Sequence, residues 1–236
     1  ADKDAPKHLS TGSEIARFNQ AVSTLKADQT PARRRMILGI DATASRQMTW
    51  QRASSWHAEL FHSAEREQGL QVQLCYYRGL SEFYASPWQR DADKLRRDMD
   101  TVACLGGHTQ IARLLRHAVN ECRDRPVSAL VFIGDAMEES SDELCELAGR
   151  CRMHGLPLLL FQEGYDPVVK HCFAEMARLS GGAHLRFNQH SARHMRDLLQ
   201  AAAAFARGGV SALKALEHET ASELLLQLGH EPGRAD

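Results

Sequence analysis

A short apolar run that ends abruptly in an aspartate constrains the fold more than any other stretch of this chain. Residues 36–40 have the length and composition of a strand buried on both faces, as in a parallel sheet. Asp41 then lies at the carboxyl end of that strand, and Thr43 and Ser45 follow at alternate positions. Because open α/β sheets bind ligands at the carboxyl ends of their strands, this polar cluster is a candidate site.

The cluster offers only hard oxygen atoms, which suit Mg²⁺, Mn²⁺ or Ca²⁺ better than zinc. In an extended or turning segment, the spacing of Thr43 and Ser45 aims both hydroxyls the same way. A second interpretation is equally open at this point: Asp41 caps the next helix, and the hydroxyls satisfy loop amides.

Strands and helices alternate along most of the chain. Apolar stretches predict strands at residues 36–40, 70–77, 127–134, 156–161 and 183–187, with a short edge strand at 81–85. Helical spacing predicts helices at residues 13–26, 49–68, 91–103, 167–179 and 192–205, and two more that begin near Thr109 and after Asp135. This order predicts an α/β fold: a doubly wound, mostly parallel sheet with one antiparallel edge strand and helices on both faces.

Two later loops add oxygen atoms at strand ends. The pair Gly106 and Gly107 marks a loop that turns tightly, and it is followed by His108 and Thr109. Asp135 directly follows the buried strand at residues 127–134. Thr109 and His108 also have plainer interpretations, since a threonine before a helix suits an N-cap and a loop histidine is most often solvated.

The acidic residues after Asp135 are most simply the charges that a helix dipole favours in its first turn. They are Glu138, Glu139, Asp142 and Glu143.

The three loops together resemble the von Willebrand factor type A (VWA) domain and its metal-ion-dependent adhesion site (MIDAS). The family pattern is Asp-x-Ser-x-Ser after the first strand, a threonine in a glycine-rich loop and an aspartate after the fourth strand. Here DATAS begins at Asp41, GGHT ends at Thr109 and IGD ends at Asp135. EMARLSGGAHLRF at residues 175–187 resembles the family's last helix and strand, and the resemblance covers about residues 34–206. Thr43 replaces the usual serine and Ala136 a common glycine, and neither change removes a donor oxygen.

The resemblance implies that Thr43, Ser45 and Thr109 supply hydroxyl ligands to a divalent ion. Asp41 and Asp135 would act directly or through bound water. Mg²⁺ is the expected ion, with Mn²⁺ or Ca²⁺ as alternatives.

The implied function is metal-bridged binding of a protein partner that presents Asp or Glu, by an adaptor or a subunit of a larger assembly. Neutral hydroxyls and water leave the ion short of negative charge, so a partner's carboxylate becomes the preferred last ligand. Asp41→Ala or chelation is expected to abolish partner binding while the fold survives. His108 would then tune the site or contact the partner.

An enzymatic function is less well supported. IDATAS superficially resembles the first phosphate loop of actin and Hsp70 type ATPases, but Ala42 and Ala44 stand where backbone contact with phosphate needs glycine. A haloacid-dehalogenase-like phosphatase needs a carboxylate where Thr43 stands. The sequence also lacks a Walker P-loop, G-x-G-x-x-G and G-x-S-x-G. We therefore predict a non-enzymatic protein, and a Mg²⁺-dependent phosphatase or ATPase is the least favoured alternative.

Composition limits the partners and the location. A net charge of −1 with mixed signs gives no basic stripe for nucleic acid. The sequence has no apolar run of membrane-spanning length, and its start lacks the hydrophobic segment of a signal peptide. The six cysteines form no C-x-x-C pair, which is typical of buried thiols in a reducing compartment, and a disulfide framework is the less favoured alternative. We therefore expect a cytoplasmic protein with neither nucleic-acid nor membrane partners.

Three regions are expected along the chain. Residues 1–33 form an N-terminal helical extension, 34–206 the VWA-like domain and 207–236 a C-terminal helical extension. The amphipathic pattern at residues 210–228 is explained by packing on the chain's own domain or by a helix offered to a partner's groove. A further alternative is therefore a VWA-fold scaffold that binds without metal, through another surface or its terminal helices.

Overall fold

The computed structural model describes residues 35–46, 69–187 and 192–228. The predicted helices at residues 13–26 and 49–68, and with them the N-terminal extension, lie outside the described residues.

Six strands form one sheet. They are β1 (Arg35–Asp41), β2 (Gln71–Arg78), β3 (Glu82–Ala85), β4 (Ala129–Gly134), β5 (Leu158–Glu163) and β6 (Ala183–Phe187). Their order is β3-β2-β1-β4-β5-β6, and β3 pairs antiparallel with β2 while the other neighbours are parallel. The predicted strands are confirmed, with ends that shift by at most two residues, and so is the antiparallel edge.

Helices cover both faces of the sheet. They are α1 (Ala92–Asp100), α2 (Ile111–Asp124), α3 (Ser141–Met153), α4 (Pro167–Ser180), α5 (Ala192–Lys214) and α6 (Glu219–Leu228). Successive side chains of a strand point to opposite faces, so Ile37 and Leu38 of β1 belong to different hydrophobic clusters. The Leu38 cluster includes residues of α1, α5 and α6, and the Ile37 cluster includes residues of α2, α3 and α4. Every residue of β1, β4 and β5 is buried, which explains their unbroken apolar sequences.

The C-terminal helices pack on the chain's own domain. α5 bends where Gly208 and Gly209 leave helical geometry, and a turn then leads into α6. Leu213 and Leu224 are fully buried in the same cluster as the sheet. Gln227 of α6 pairs with the backbone of His184 on the edge strand β6, accepting from its N–H at 2.7 Å and donating to its carbonyl at 2.8 Å. The stretch at residues 210–228 therefore ends one helix and forms another, both of them packed against the sheet.

All six cysteines are free thiols, and Cys75, Cys151 and Cys172 are buried. Burial raises the pKa of Cys172 to about 11, which keeps this thiol protonated at neutral pH. Among the described helices, none is long and apolar enough to cross a membrane.

His184 on β6 is held in its neutral form. Its Nε2 lies 3.0 Å from the side-chain oxygen of Gln162, and its ring meets Phe173 edge-on. Burial lowers the pKa of His184 to about 4, and the positive charges of Arg186 and Lys170 act in the same direction.

Stability is expected to fall between pH 6.5 and 4 partly because of His184. Histidine titrates near 6.5 in the unfolded chain, so the unfolded state binds the proton first as the pH falls, and folding loses free energy over that window. The urea midpoint of His184→Gln should therefore depend less on pH between 4.5 and 7 than that of the wild type. The substitution changes no carboxylate, so the difference between the two curves isolates His184. Parallel curves would contradict this prediction.

Candidate metal centre

Asp41 lies in the middle of the carboxyl edge of the sheet. It ends β1, which is flanked by β2 and β4, and its side chain is fully buried. Its Oδ1 accepts from the backbone N–H of Thr43 at 2.8 Å, and its Oδ2 accepts from the Tyr77 hydroxyl at 3.2 Å. These bonds fix the orientation of a buried carboxylate that would otherwise be costly.

The next two predicted ligands lie side by side. The chain turns through a short 3₁₀ segment at Ala44–Arg46, and the Oγ1 of Thr43 lies 3.2 Å from the Oγ of Ser45. Neighbouring ligands of an octahedral Mg²⁺ ion at about 2.1 Å are separated by about 3 Å. The hydroxyl pair is therefore spaced as two adjacent ligands of one ion would be.

The glycine-rich loop is tied to the Asp41 loop by backbone contacts. The N–H of Leu105 donates to the carbonyl of Ala42 at 3.2 Å, and Leu105 forms a parallel bridge with Thr43. Further along, the N–H of His108 donates to the carbonyl of Gly79 at 3.3 Å. The segment that carries Thr109 thus runs beside the segment that carries Thr43.

Two carboxylates from the loop after β4 hold Thr109. The Thr109 hydroxyl donates to the Oε2 of Glu139 at 2.5 Å and accepts from the N–H of Glu138 at 2.9 Å. The N–H of Thr109 donates to the Oε2 of Glu138 at 2.9 Å, and the same oxygen lies 3.0 Å from Nδ1 of His108, which is 68% exposed. The loop that contains Asp135 is thereby fastened to the glycine-rich loop.

These contacts correct two sequence interpretations. Thr109 is not the N-cap of α2: the N-cap residue is Gln110, and the Oε1 of Glu139 instead accepts from the N–H of Ala112 at 3.1 Å. Glu138 and Glu139 are not charges of the first helical turn, because α3 begins at Ser141.

Asp142 and Glu143 do lie in the first turn of α3, as predicted. The acidic stretch therefore divides into two carboxylates that bind the Thr109 loop and two that begin a helix.

The Thr109 hydroxyl keeps the capacity to bind a cation. A hydroxyl has one proton and two lone pairs. The proton is directed to Glu139, and one lone pair accepts from the N–H of Glu138. The second lone pair is left for a metal ion, and donation to a carboxylate makes the oxygen a better ligand.

Asp135 carries the most informative polar atom at this edge. Its Oδ1 is buried and has no hydrogen-bond partner within the described part of the chain. The preceding residue, Gly134, lies beside Asp41, since a Cβ built on it would be 3.7 Å from the Cβ of Asp41. A buried acceptor without a partner costs about 1–3 kcal/mol, and a cation at this point would remove that cost.

The five predicted ligands are thus held by three loops that bond to one another in series. Asp41, Thr43 and Ser45 are in direct contact, whereas Thr109 is fastened through Glu139 to the loop of Asp135. No group of three or more His, Cys, Asp or Glu side chains that could hold a metal ion is found among the described residues. The candidate centre is of a different kind, because hydroxyls make up most of its donors.

The comparisons with known proteins identify the fold. No protein-family profile matches the sequence, and no curated protein matches it. The SpRpn10 VWA domain is 13% identical and superimposes with a TM-score of 0.57 over 74% of this chain and 97% of that domain. A von Willebrand factor type A protein from Catenulispora acidiphila is 12% identical, with a TM-score of 0.60 over 75% of this chain and 43% of that one.

A third solved structure is proximal thread matrix protein 1 of the mussel byssus, with a zinc-occupied MIDAS motif. It is 16% identical, with a TM-score of 0.57 over 75% of this chain and 49% of that one. The present chain therefore spans less than half of the latter two proteins. Together with the strand order, these similarities show that the chain has the α/β fold of von Willebrand factor type A domains.

Proposed function

We propose that this protein binds a divalent cation through Asp41, Thr43, Ser45, Thr109 and Asp135, and that the ion recruits a carboxylate from a protein partner. The observation that carries the proposal is the buried Oδ1 of Asp135, which lacks a protein partner among the described residues. It lies at the edge of the sheet that also holds the paired hydroxyls of Thr43 and Ser45.

The donor set favours Mg²⁺, with Mn²⁺ or Ca²⁺ as alternatives. Three neutral hydroxyls and two carboxylates are hard oxygen donors, and both Asp41 oxygens already accept hydrogen bonds. When bound, the ion would supply an open, positively charged coordination position. A partner's Asp or Glu is the side chain that best fills such a position. The zinc-occupied MIDAS of the mussel protein supports a metal at this place in the fold, so zinc belongs among the ions to be tested.

The proposed role is that of an adaptor or assembly subunit that acts without catalytic turnover. The SpRpn10 VWA domain has the same fold, which supports a binding function but names no partner for this chain. The free thiols support a reducing compartment, and we propose that the protein acts in the cytoplasm.

Removal of the metal is expected to release the partner. The full chain, immobilised and incubated with native lysate in Mg²⁺, should retain proteins that elute with EDTA and rebind when Mg²⁺ is restored. The Asp135→Asn chain, treated identically, should retain none of them. Capture that persists in EDTA would contradict the proposal.

The same experiment tests metal-independent binding through the C-terminal helices. Deletion of residues 210–236 is a poor probe, because it removes the fully buried Leu213 and Leu224 and would disturb the core. Leu226→Ser is suitable, since this side chain is 69% exposed on α6. A partner that stays bound in EDTA but does not bind Leu226→Ser would favour metal-independent binding through the C-terminal helices.

A further inference from the structure

We infer that Leu80 and Leu105 form an apolar surface beside the metal centre, which selects partners whose ligand carboxylate is flanked by a bulky apolar side chain. The inference rests on the proposed function, because the ion sets the position of the partner's carboxylate. It adds the chemical class of the residue next to that carboxylate.

Both leucines are exposed where burial would be favourable. Leu80 is 76% exposed in the turn between β2 and β3, and Leu105 is 46% exposed in the glycine-rich loop. Single exposed leucines are common on protein surfaces. This pair differs because its two loops are hydrogen-bonded to each other, and Leu105 is also bridged to Thr43, a predicted metal ligand.

Backbone contacts place Leu105 next to Thr43. The two residues form a parallel bridge, and the N–H of Leu105 donates to the carbonyl of Ala42. Bridged strands lie about 4.8 Å apart. The Leu105 side chain is therefore within one residue's width of a proposed ligand of the ion.

Leu80 is attached to the same loop through Gly79. The carbonyl of Gly79 accepts from the N–H of His108, and its N–H lies 3.5 Å from the carbonyl of Leu105. Gly107 packs so closely on Gly79 that a Cβ at position 107 would overlap the Gly79 carbonyl. These contacts fix the turn that carries Leu80 against the loop that carries Leu105.

The charged side chains of this turn are already paired locally. Arg78 and Glu82 form an ion pair at 2.7 Å, and Arg113 donates to the carbonyl of Ser81 at 2.7 Å. We therefore expect a partner to contact this turn through the apolar Leu80 side chain. The ionic contact of the partner is then the one between its carboxylate and the ion. In an extended partner, residues one and two positions from the ligand carboxylate lie about 3.4 and 6.8 Å along the strand. These distances bracket the spacing of about 4.8 Å between Thr43 and Leu105, so a side chain at either position can contact Leu105.

A displayed library of heptapeptides with a fixed central aspartate tests the inference on the full chain in Mg²⁺. We expect enrichment of Leu, Ile, Phe or Met within two positions of the aspartate. Synthetic peptides from the selection should bind about tenfold more tightly than versions with serine at the apolar position. In Leu80→Ser/Leu105→Ser this preference should disappear. Met153→Ser is the matched control, because Met153 is 85% exposed at the end of α3, from which the chain leads to the amino end of β5 and not to the carboxyl edge that holds the metal centre.

Binding of Mn²⁺, followed by electron paramagnetic resonance, separates the two proposals. Suppose that the wild type and the double variant both bind Mn²⁺ normally. This inference alone would then be overturned if the wild type shows no preference for apolar peptides, or if the double variant keeps that preference. Absence of Mn²⁺ binding by the wild type would overturn the proposed function and this inference with it. Mn²⁺ binding without Mg²⁺-dependent retention of any aspartate peptide would also overturn the inference.

Discussion

Asp135→Asn is expected to abolish stabilisation of the protein by Mg²⁺ without destabilising the metal-free chain. The buried Oδ1 of Asp135 accepts no hydrogen bond within the described residues, so the substitution breaks no protein contact at that atom. It does remove a negative charge from the centre to which we assign the ion. Thermal unfolding in Mg²⁺ and in EDTA measures both effects on the same sample.

The expected effect is large enough to measure. An ion present at about 100 times its dissociation constant stabilises the folded state by about 2.7 kcal/mol. For a domain of this size, that corresponds to a rise in Tm of about 5–11 °C. The wild type should show this rise in Mg²⁺, whereas the Asp135→Asn Tm should be the same in Mg²⁺ and in EDTA. An equal rise in both proteins would show that Asp135 is not a ligand.

Two further variants serve as graded controls. In Glu139→Gln, a neutral amide oxygen replaces the carboxylate that accepts from the Thr109 hydroxyl, so this hydrogen bond is weaker. Loss of such a partner of a metal ligand lowers metal affinity by about 10–100-fold, and we expect a decrease of up to that size. Asp41→Ala, the variant suggested by sequence analysis, is a less specific test of metal binding. Asp41 also accepts hydrogen bonds from Thr43 and Tyr77, which the substitution removes. It should lower stability even in EDTA, through the loss of those hydrogen bonds.

The sheet could be predicted because its strands are short and strongly patterned. β1, β4 and β5 are buried along their whole length, and a continuous apolar run between polar loops is the direct consequence. Phe83 and Tyr84 have high strand propensity, which predicted the short edge strand β3 and its antiparallel pair with β2. The end of α4 could be predicted as well, because glycine is the usual residue just after a helix. In the structure, Gly181 follows α4 in the left-handed conformation, with a φ of 72°.

The partners of Thr109 could not be predicted, because they depend on which loops meet. A threonine before a helix and acidic residues near the start of another are both explained by local rules. The fold instead brings the loop after β4 to the glycine-rich loop, where Glu139 both accepts from the Thr109 hydroxyl and caps α2. The contact between Thr109 and Glu139, which are distant in sequence, thus takes the place of the two predicted local roles: an N-cap for Thr109 and a first-turn helix charge for Glu139.

The contribution of Tyr77 also depends on strand register. Tyr77 pairs with Asp41 across β1 and β2, which places its hydroxyl within reach of the carboxylate. Sequence pattern identifies both strands but not the residue of one that faces a given residue of the other. The C-terminal helices show the same limit, because the amphipathic pattern does not reveal the turn between α5 and α6 or that Leu213 and Leu224 enter the same cluster as the sheet.

Gly107→Ala is expected to separate the glycine-rich loop from the β2–β3 turn and to weaken metal binding at a distance. A Cβ at position 107 would overlap the carbonyl group of Gly79, which is backbone and cannot rotate away. Overpacking of this kind costs about 1–3 kcal/mol. The hydrogen bond from His108 to Gly79 must lengthen as the loops part. Since Thr109 is the next residue, we also expect Mn²⁺ affinity to fall about tenfold or more, as measured by calorimetry.

Gly106→Ala is the matched control for this substitution. A Cβ at position 106 would have nothing within 4 Å, and Gly106 is not among the glycines with positive φ. Alanine at such a position leaves stability unchanged or raises it by up to about 1 kcal/mol, because it restricts the unfolded chain. Metal affinity should then match the wild type. If the two variants weakened Mn²⁺ binding equally, loop flexibility and not the contact between Gly107 and Gly79 would set the position of Thr109.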